Sequence, residues 1–302
     1  MLRIIVLGAA AGGGLPQWNC GCANCRAARG DHPELASTQA SIAVSGDGTN
    51  WFLINASPDL RAQINANPAL HPPVGVLRGS PIAGVILTNG EVDAVAGLLT
   101  LRERAAFSIY GHPDVLAMLA ANSIFNVLDP ALVRREAMAV DVPFQPTLPG
   151  GAPSGLEVTA FAAPGKPALF LEGQRGGSEG DTLGLVVRDL EGGRRLVFLA
   201  ACAAVTPEII DRLDGADAVF FDGTLWADDE MIRQGLSQKT GQRMGHIAMQ
   251  PAIEALAGID RPARYFLHIN NSNPALQPGS PERRQAEAAG WQIPADGMEI
   301  TL

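Results

Sequence analysis

Short apolar runs alternate with turn residues along most of the chain, and this pattern predicts a sheet-rich fold. The runs are rich in Val, Ile, Leu and Phe and are bounded by Gly, Pro, Asn, Asp or charged residues, as strands are. The predicted strands cover residues 2–7, 41–44, 51–55, 84–88, 108–111, 156–162, 183–188, 195–199, 218–221 and 265–268.

Helical patterns lie between these strands, at residues 95–104, 113–128 and 208–213. A last helix is predicted to start after Ser280, which can cap it, with Pro281 at its first position, and to end at Gly290. Two sheets with helices interspersed in both halves of the chain predict a layered α/β sandwich. Because strand signals continue in the same style throughout, one domain over residues 1–302 is expected.

The amino-acid composition and net charge limit the kinds of molecule that this protein is expected to bind. The 302 residues are 47% hydrophobic, which is ample for a buried core, and the formal net charge is -9. A net negative charge disfavours binding to nucleic acid or to an anionic membrane, so small molecules or other proteins are the expected partners. No apolar stretch is long enough to span a bilayer. The apolar start of the chain is short and broken by Gly8, which favours a first strand over a signal peptide.

Three of the four cysteines stand together, at Cys20, Cys22 and Cys25. Three thiols in one short loop cannot all pair as disulfides without strain, and their spacing suits three thiolates around a structural zinc ion. A redox pair with a bystander and chance clustering remain as alternatives, and the spacing leaves the fourth ligand open. Free thiols available to a metal favour a reducing compartment, the cytoplasm.

The glycine-rich segment 8–14 follows the first predicted strand and invites comparison with a dinucleotide-binding loop. Such a site needs a helix that opens at the loop, with its N-terminus at the pyrophosphate. Pro16 and the cysteines follow instead. We therefore favour a turn that lets backbones approach closely.

Acidic residues and histidines stand at the ends of several predicted strands or in glycine-flanked turns. They are Glu91, Asp93, Asp222, His246 and His268. The carboxyl ends of strands in α/β folds are where ligands collect, and mixed oxygen and nitrogen donors suit hard or borderline cations. Each residue alone is more often a solvated group, a helix cap or a structural histidine. The remaining histidines adjoin prolines or turns and are predicted to lie at the surface: His32, His71 and His112.

Several strings across the chain resemble the coenzyme PQQ synthesis protein B family. They are the glycine- and cysteine-rich stretch 8–25 with PQWNC at 16–20, NASPD at 55–59, TNGEVDAVAG at 88–97, FDGT at 221–224, KTG at 239–241, RMGHI at 243–247 and HINN at 268–271. This family is a distant branch of the metallo-β-lactamase superfamily, so the resemblance implies an αββα sandwich with metal at the joint edge of its two sheets. It also implies a Cys-x-Cys-x-x-Cys zinc site linked with dimerisation, and hence a homodimer.

The first metal loop departs from the superfamily pattern His-x-His-x-Asp-His. Its positions correspond here to Asn89, Glu91, Asp93 and Ala94. Loss of the first two histidines is expected for this family, whereas relatives usually keep a histidine where this chain has Ala94. Alanine has no donor atom, so only Asp93 survives from the motif, and Glu91 is a candidate replacement on proximity alone.

The resemblance carries the remaining ligands of the active-site metal over to Asp222 and His268, beside Asp93, with His246 as a catalytic or auxiliary histidine. Asp93, Asp222 and His246 are the expected catalytic residues. A carboxylate-rich set with few nitrogens resembles the sites that hold non-haem Fe(II) for oxygen chemistry. The resemblance implies iron-dependent hydroxylation of a Glu–Tyr-derived precursor of PQQ.

A carboxylate-rich substrate needs cations, and Lys166, Lys239 and Arg243 are candidates to bind it, although ordinary surface charge explains each equally well. Two other functions stay open. A carrier that holds PQQ or its precursor without turnover is strengthened by Ala94, because a weakened metal site supports oxidation poorly. A superfamily hydrolase is disfavoured, because Asn89 and Ala94 cannot build the pair of metal sites that would activate water.

Overall fold

Two mixed β-sheets lie face to face in the structure, a computed structural model that describes residues 1–173, 177–259 and 262–302. The first sheet has the order β13 (Glu299–Thr301), β1 (Arg3–Gly8), β2 (Ser41–Ser45), β3 (Trp51–Ile54), β4 (Ile82–Ile86), β5 (Phe107–Gly111) and β6 (Val133–Ala137). The second has the order β12 (Trp291–Gln292), β11 (Ala263–Leu267), β10 (Ala218–Asp222), β9 (Arg195–Leu199), β8 (Leu183–Asp189) and β7 (Leu156–Ala162).

Each sheet is antiparallel on one side and parallel on the other. Strands β13, β1, β2 and β3 pair antiparallel, and β3 to β6 pair parallel. In the second sheet β7 to β9 are antiparallel and β9 to β12 are parallel. In α/β sheets, ligands bind at the loops that follow the carboxyl ends of parallel strands.

Both faces of each sheet are covered, which explains why the strands inside each sheet are apolar. In β1, Ile4 and Val6 belong to the core between the sheets, whereas Ile5 and Leu7 pack beneath the helices outside the first sheet. Phe220 of β10 lies in the core between the sheets, and its neighbour Phe221 lies beneath the outer helices of the second. The predicted αββα sandwich is thereby confirmed.

Helices cover the outer faces and also build the loops. Those packed on the first sheet are α2 (Leu60–Ala66), α3 (Val92–Val95) and α4 (Pro113–Ala121). Those packed on the second are α5 (Pro207–Leu213), α8 (Met249–Ala255) and α9 (Pro281–Ala288). The loop helices are α1 (Ala23–Arg29), α6 (Glu230–Arg233) and α7 (Gly241–Met244), with 3-10 turns at Pro33–Leu35, Pro68–Leu70, Ala96–Arg102, Ser123–Val127, Leu169–Leu171 and Pro274–Leu276. Within the described ranges, no helix is long and apolar enough to cross a membrane.

The helix predicted at residues 95–104 starts earlier than its pattern indicated and is not α-helical for most of its length. It begins as α3 at Val92 and continues as a 3-10 turn over Ala96–Arg102. Gly97 explains the tight winding, because its backbone presses against the loop after β3. Gly97 N donates to Ala56 O at 2.8 Å, and a Cβ on Gly97 would lie 2.2 Å from Ser57 O. The early start places Asp93 inside the helix.

His112 is buried, and the prediction that it lies at the surface is wrong. It stands at the start of α4, where its Nδ1 accepts a hydrogen bond from the backbone N–H of Asp114 at 3.3 Å. Gly180 then covers the ring so closely that a Cβ on this glycine would lie 2.0 Å from Nδ1. The residues adjacent to His112 in the sequence could not reveal that Gly180, from the other half of the chain, buries its ring. His32 and His71 are exposed, as predicted.

The two sheets meet along one edge through the residues that follow β1. Ala10 forms isolated bridges with both Gln39 and Ile269, which belong to opposite sides of the sandwich. Ala11 N donates to Ile269 O at 2.8 Å, and Ile269 N donates to Ala9 O at 2.9 Å. Residues 8–14 contain no helix, since α1 starts only at Ala23, so the interpretation as a close-approach turn is confirmed. This crossing draws the end of β11 towards the loops of the first sheet.

Candidate metal centres and the cavity between the sheets

A cavity of about 590 Å³ opens at the edge where the sheets meet. Its volume lies within the range of small-ligand sites. It is lined by most of the residues singled out from sequence: Glu91, Asp93, Lys166, Lys239, Arg243, His246 and His268. Asp222 is fully buried and is not among the lining residues, but its carboxylate contacts His246, which is. The structure thus gathers at one place side chains that are far apart in the chain.

Asp93 and His268 meet at this cavity although 175 positions separate them. Asp93 lies in the first turn of α3, and His268 directly follows β11 with a φ of 59°, a left-handed conformation that is uncommon for a non-glycine residue. His268 Nε2 lies 3.0 Å from Asp93 Oδ2. Burial disfavours charge on both groups, but their mutual attraction outweighs it, so the pKa of Asp93 is lowered and the pKa of His268 is raised.

Asp222 ends β10 with its carboxylate enclosed by polar groups. Its Oδ2 accepts a hydrogen bond from Cys202 N at 2.8 Å and lies 2.7 Å from His246 Nδ1. Its Oδ1 accepts from Thr224 N at 3.0 Å and from Thr224 Oγ1 at 2.7 Å. These contacts hold the carboxylate in one orientation. Burial, together with the charge of Asp222, raises the pKa of the Cys202 thiol to about 12.

Thr224 is a residue that the sequence patterns did not single out, although it stands in the FDGT string. Its Oγ1 lies 3.0 Å from His246 Nδ1 and 2.9 Å from His268 Nδ1. The two imidazole rings are stacked, with centroids 5.1 Å apart. Asp222, His246 and His268 each offer a ligand atom within 4.8 Å of one another, and Asp93 adjoins His268. Such a set of carboxylates and imidazoles could hold a divalent cation of the iron or zinc type.

Ala94 lines the same cavity and brings no donor atom to it. Glu91, the candidate replacement, also lines the cavity but turns its carboxylate elsewhere. Its Oε1 accepts from Leu169 N at 3.0 Å and lies 3.6 Å from Lys166 Nζ. Burial raises the pKa of Glu91 although Lys166 opposes the shift. The structure therefore places Glu91 against the 3-10 turn at Leu169–Leu171 and outside the group formed by Asp222 and the histidines.

The three candidate substrate cations occur together around the cavity. Lys166 Nζ lies 2.7 Å from Glu172 Oε1, and Arg243 Nη2 lies 3.5 Å from Glu172 Oε2. The hydrogen bond and charge of Lys166 lower the pKa of Glu172. Lys239 is exposed, and no described residue forms an ion pair with it. Glu172 thus places a carboxylate between Lys166 and Arg243, where a carboxylate of a ligand could take its place.

The cysteine cluster forms a second candidate metal centre, at the start of α1. All three cysteines are free thiols, and the side-chain amide of Asn271 closes the group. Asn271 Nδ2 lies 3.0, 3.5 and 3.2 Å from the sulfurs of Cys20, Cys22 and Cys25. The two ends of an amide exchange by a half-turn, so its oxygen can face the sulfurs and complete a tetrahedral set. Burial raises the pKa of Cys25 to about 11, so a cation is needed to hold this sulfur as a thiolate.

Asn271 also connects the two candidate centres, because it follows His268 by three positions in the same loop. Asn24 of α1 reinforces the connection, since its Nδ2 donates to the carbonyl oxygens of Asn271 and Asn273 at 2.9 Å each. A zinc ion held by the cysteines and Asn271 would therefore fasten the loop that carries His268 to the N-terminal region.

Comparison with known proteins supports the family resemblance that the sequence motifs indicated. A family model for the beta-lactamase superfamily domain matches residues 50–269. Coenzyme PQQ synthesis protein B of Bradyrhizobium diazoefficiens is 61% identical, and that of Rhodopseudomonas palustris (strain TIE-1) is 63% identical. Both alignments cover 100% of this chain and 100% of the relative. The chain belongs to the coenzyme PQQ synthesis protein B family.

Solved structures agree with this assignment. Zn(2+)-bound PqqB from Methylobacterium extorquens is 45% identical, covers 99% of this chain and 100% of its own, and superposes with a TM-score of 0.93. A diphosphatase of the PhnP family superposes with a TM-score of 0.69 over 100% of this chain and 98% of its own, at 17% identity, which shows a shared fold alone. The family and the metallo-β-lactamase fold, both expected from the sequence strings, are thereby confirmed.

Proposed function

We propose that this member of the PQQ synthesis protein B family acts in PQQ biosynthesis as a metal-dependent, iron-using hydroxylase of a Glu–Tyr-derived precursor. The observation that carries the proposal is the approach of His268 Nε2 to Asp93 Oδ2 at 3.0 Å beside a cavity of about 590 Å³. A carboxylate and an imidazole that meet from opposite sides of the sandwich, at an open cavity, are suited to share one cation and still leave room for a substrate.

Asp93, Asp222 and His268 are the proposed ligands of this metal, with His246 beside them. Such a set is rich in carboxylate and poor in nitrogen, which favours Fe(II) with open coordination positions. Bound iron supplies the redox chemistry with dioxygen, and the residues of the chain bind and orient the substrate. Zinc at Cys20, Cys22 and Cys25 is proposed as structural, because no cavity-lining residue belongs to that cluster.

The positively charged side chains around the cavity are the proposed substrate-binding groups. Lys166 and Arg243 already share the carboxylate of Glu172, so their spacing suits a carboxylate of the precursor. Lys239 is exposed at the same cavity and can pair with a second carboxylate. Two anchored carboxylates would fix the aromatic ring of the precursor in one orientation. Holding a reacting group in the correct orientation lowers the entropic cost of the reaction.

His246 is the proposed proton acceptor. Its Nδ1 lies 2.7 Å from Asp222 Oδ2, so the buried carboxylate orients the ring. His246 also lines the cavity. A neutral imidazole oriented in this way can take a proton from a phenolic hydroxyl as oxygen is added to the ring.

Oxygen uptake tests the proposal. The protein is purified anaerobically, loaded with Fe(II), and mixed with the precursor, oxygen and a two-electron reductant such as ascorbate, because the second atom of dioxygen must be reduced to water when the first enters the product. We expect oxygen consumption that depends on the precursor, together with a product whose mass has increased by one oxygen atom. Oxygen uptake that is the same with and without precursor would contradict the proposal, and so would hydrolysis of generic esters with no oxidation.

One observation favours a second function, that of a carrier for PQQ or its precursor. Ala94 brings no donor atom to the cavity, whereas the three candidate substrate cations still line it. A protein of this kind would bind its ligand tightly and would not turn it over. Tight binding of PQQ, measured by calorimetry, with no precursor-dependent oxygen uptake in the same preparation, would favour the carrier.

Ala94→His is expected to tighten Fe(II) binding by about tenfold or more, because an added imidazole would enter the cavity that Ala94 lines. Tenfold corresponds to about 1.4 kcal/mol. Equilibrium titration with Fe(II) under anaerobic conditions measures the change. Ala94→Leu is the matched control, since it adds a side chain without a donor and should not tighten binding. Equal affinity of the histidine variant and the parent would show that another residue already fills this ligand position.

A further inference from the structure

Both lysines of the chain line the cavity between the sheets. Of the 22 lysine and arginine residues, only Lys166 and Lys239 are lysines, and Arg243 lines the same cavity. Lysine carries a compact ammonium group with three rotatable donors on a flexible stem, whereas the planar fork of arginine fixes the geometry of its partner. An ammonium group can therefore exchange one carboxylate for another with little movement of its stem.

Lys166 lies between two carboxylates, and one of them is firmly held. Its Nζ lies 3.6 Å from Glu91 Oε1 and 2.7 Å from Glu172 Oε1. Glu91 is fixed to the backbone, because its Oε1 also accepts a hydrogen bond from Leu169 N at 3.0 Å. The stem of Lys166 packs beside Gly245, where a Cβ would lie 3.1 Å from Lys166 Cγ. Lys166 would therefore keep its position and one opposite charge if Glu172 moved away.

Glu172 is held only by two long cationic side chains. In the described part of the chain, its carboxylate contacts Lys166 and Arg243 and accepts a hydrogen bond from no backbone N–H. The contact with Arg243 is long, at 3.5 Å between Nη2 and Oε2, and the side chain of Arg243 is 62% exposed. Exposed ion pairs stabilise a protein only weakly. Of the two carboxylates beside Lys166, that of Glu172 can thus leave with the smaller loss of free energy.

We propose that Glu172 is an internal competitor, which occupies Lys166 and Arg243 and must be displaced by a carboxylate of the incoming ligand. Glu172 thereby keeps the affinity of the cavity for carboxylates low. It returns to the two cations as a ligand leaves, so it also favours release of a product. That this ligand is a PQQ precursor or its product rests on the proposed function, whereas the competition itself does not.

The strength of the competition follows from how often the two cations are free. An apparent affinity falls in proportion to the fraction of molecules that are competent to bind. If Glu172 is in place about 90% of the time, a carboxylate binds about tenfold more weakly than it would without Glu172. Every carboxylate ligand must displace the same group, so only further contacts restore affinity. Lys239 offers such a contact, and the cavity therefore suits ligands with at least two carboxylates.

Isophthalate, an aromatic ring with two carboxylates, is the probe for this competition. It is titrated calorimetrically into the full-length protein, and no iron is added, so that the probe cannot coordinate it. Glu172→Gln keeps the size of the side chain and removes its charge. We expect isophthalate to bind this variant about tenfold more tightly than the parent, because the two cations are then free. A residue that merely oriented Lys166 for the ligand would give the opposite sign.

Asp228→Asn is the matched control for net charge. Asp228 is exposed, and its Oδ1 accepts a hydrogen bond from Gln242 N at 2.7 Å, which the oxygen of asparagine can also accept. This change removes one negative charge beside α7 without freeing Lys166 or Arg243. Because exposed charges are screened by salt, we expect isophthalate affinity to change by less than about twofold.

The two lysines also allow the bound probe to be located. In protein labelled with 13C-lysine, NMR should show one ε-carbon signal for each lysine, and Lys239→Arg leaves only that of Lys166. Isophthalate should shift the Lys166 signal in the parent, a result that requires no change at Glu172. The substitution Glu172→Gln should shift the same signal before any probe is added.

Three results would overturn the proposal. They are isophthalate binding to Glu172→Gln that is absent or no tighter than to the parent, equal tightening in Asp228→Asn, and isophthalate binding that leaves the Lys166 signal in place. None of these measurements involves turnover. A failure of precursor hydroxylation would therefore leave the competition by Glu172 intact, and a failure of the competition would leave the hydroxylase proposal to its own test.

Discussion

Cys25→Ser is expected to release the zinc of the N-terminal loop and to lower the melting temperature by about 10 °C. Serine oxygen is a poor zinc ligand, and the free energy of metal binding at a structural site is also folding free energy. A loss of a few kcal/mol corresponds to a shift of this order in a chain of this size. Zinc content by elemental analysis and melting by calorimetry are the measurements.

The same variant should also weaken Fe(II) binding, because Asn271 belongs to the loop that carries His268. Cys202→Ala is the matched control. This cysteine is buried outside the cluster, so its replacement should leave the zinc content at the parental value. A Cys25→Ser protein that keeps a full equivalent of zinc and melts as the parent does would refute the structural zinc site.

Asp222→Asn should reduce hydroxylation of the precursor by about 100-fold or more and destabilise the fold by about 3 kcal/mol. The backbone N–H groups of Cys202 and Thr224 point at opposite oxygens of the carboxylate and cannot turn away. An amide offers only one oxygen, so its NH₂ must face one of these buried donors. The same change removes the negative charge that orients His246 and attracts a cation.

Precursor-dependent oxygen uptake and urea unfolding measure the two effects of Asp222→Asn separately. Asp229→Asn is the matched control. Asp229 lies in the segment after the same strand, is exposed and forms an ion pair with Arg233, so its neutralisation should change stability by less than about 1 kcal/mol and leave activity intact. If both variants behave like the parent, Asp222 has no role in the site.

The strands could be predicted well because the two faces of each sheet are both covered, so a strand appears as a short apolar run between turns. The run predicted at residues 195–199 coincides with β9, and the run at 156–162 coincides with β7. Three strands were missed for a shared reason: they lie at sheet edges and are short or charged. They are β6 (Val133–Ala137), β12 (Trp291–Gln292) and β13 (Glu299–Thr301). Their sheet structure comes from pairing with a neighbour rather than from their own pattern.

Helix ends were harder to predict than helix positions. The pattern at residues 113–128 predicted one helix, but α4 ends at Ala121 and a 3-10 turn follows over Ser123–Val127. Asn122 separates them, with its Nδ2 donating to Met118 O at 2.8 Å. By contrast, the cap of the last helix was predicted correctly, since Ser280 Oγ accepts from Arg283 N at 2.9 Å. A helix cap depends on residues that are adjacent in the sequence and can be predicted from them. The interruption after α4 leaves the helical spacing of apolar residues unchanged, so the pattern does not reveal it.

The order of residues is enough to identify the side chains that carry chemistry: three closely spaced thiols, a strand that ends in Asp222, a histidine after β11, and the strings that mark the family. The partners of these side chains depend on how the chain folds. Asp93 meets His268 because Ala10 pairs with both sides of the sandwich, and Asn271 reaches the cysteines because its loop passes α1. Strand order and the crossing between the sheets set such contacts, and they join positions that have no local pattern in common.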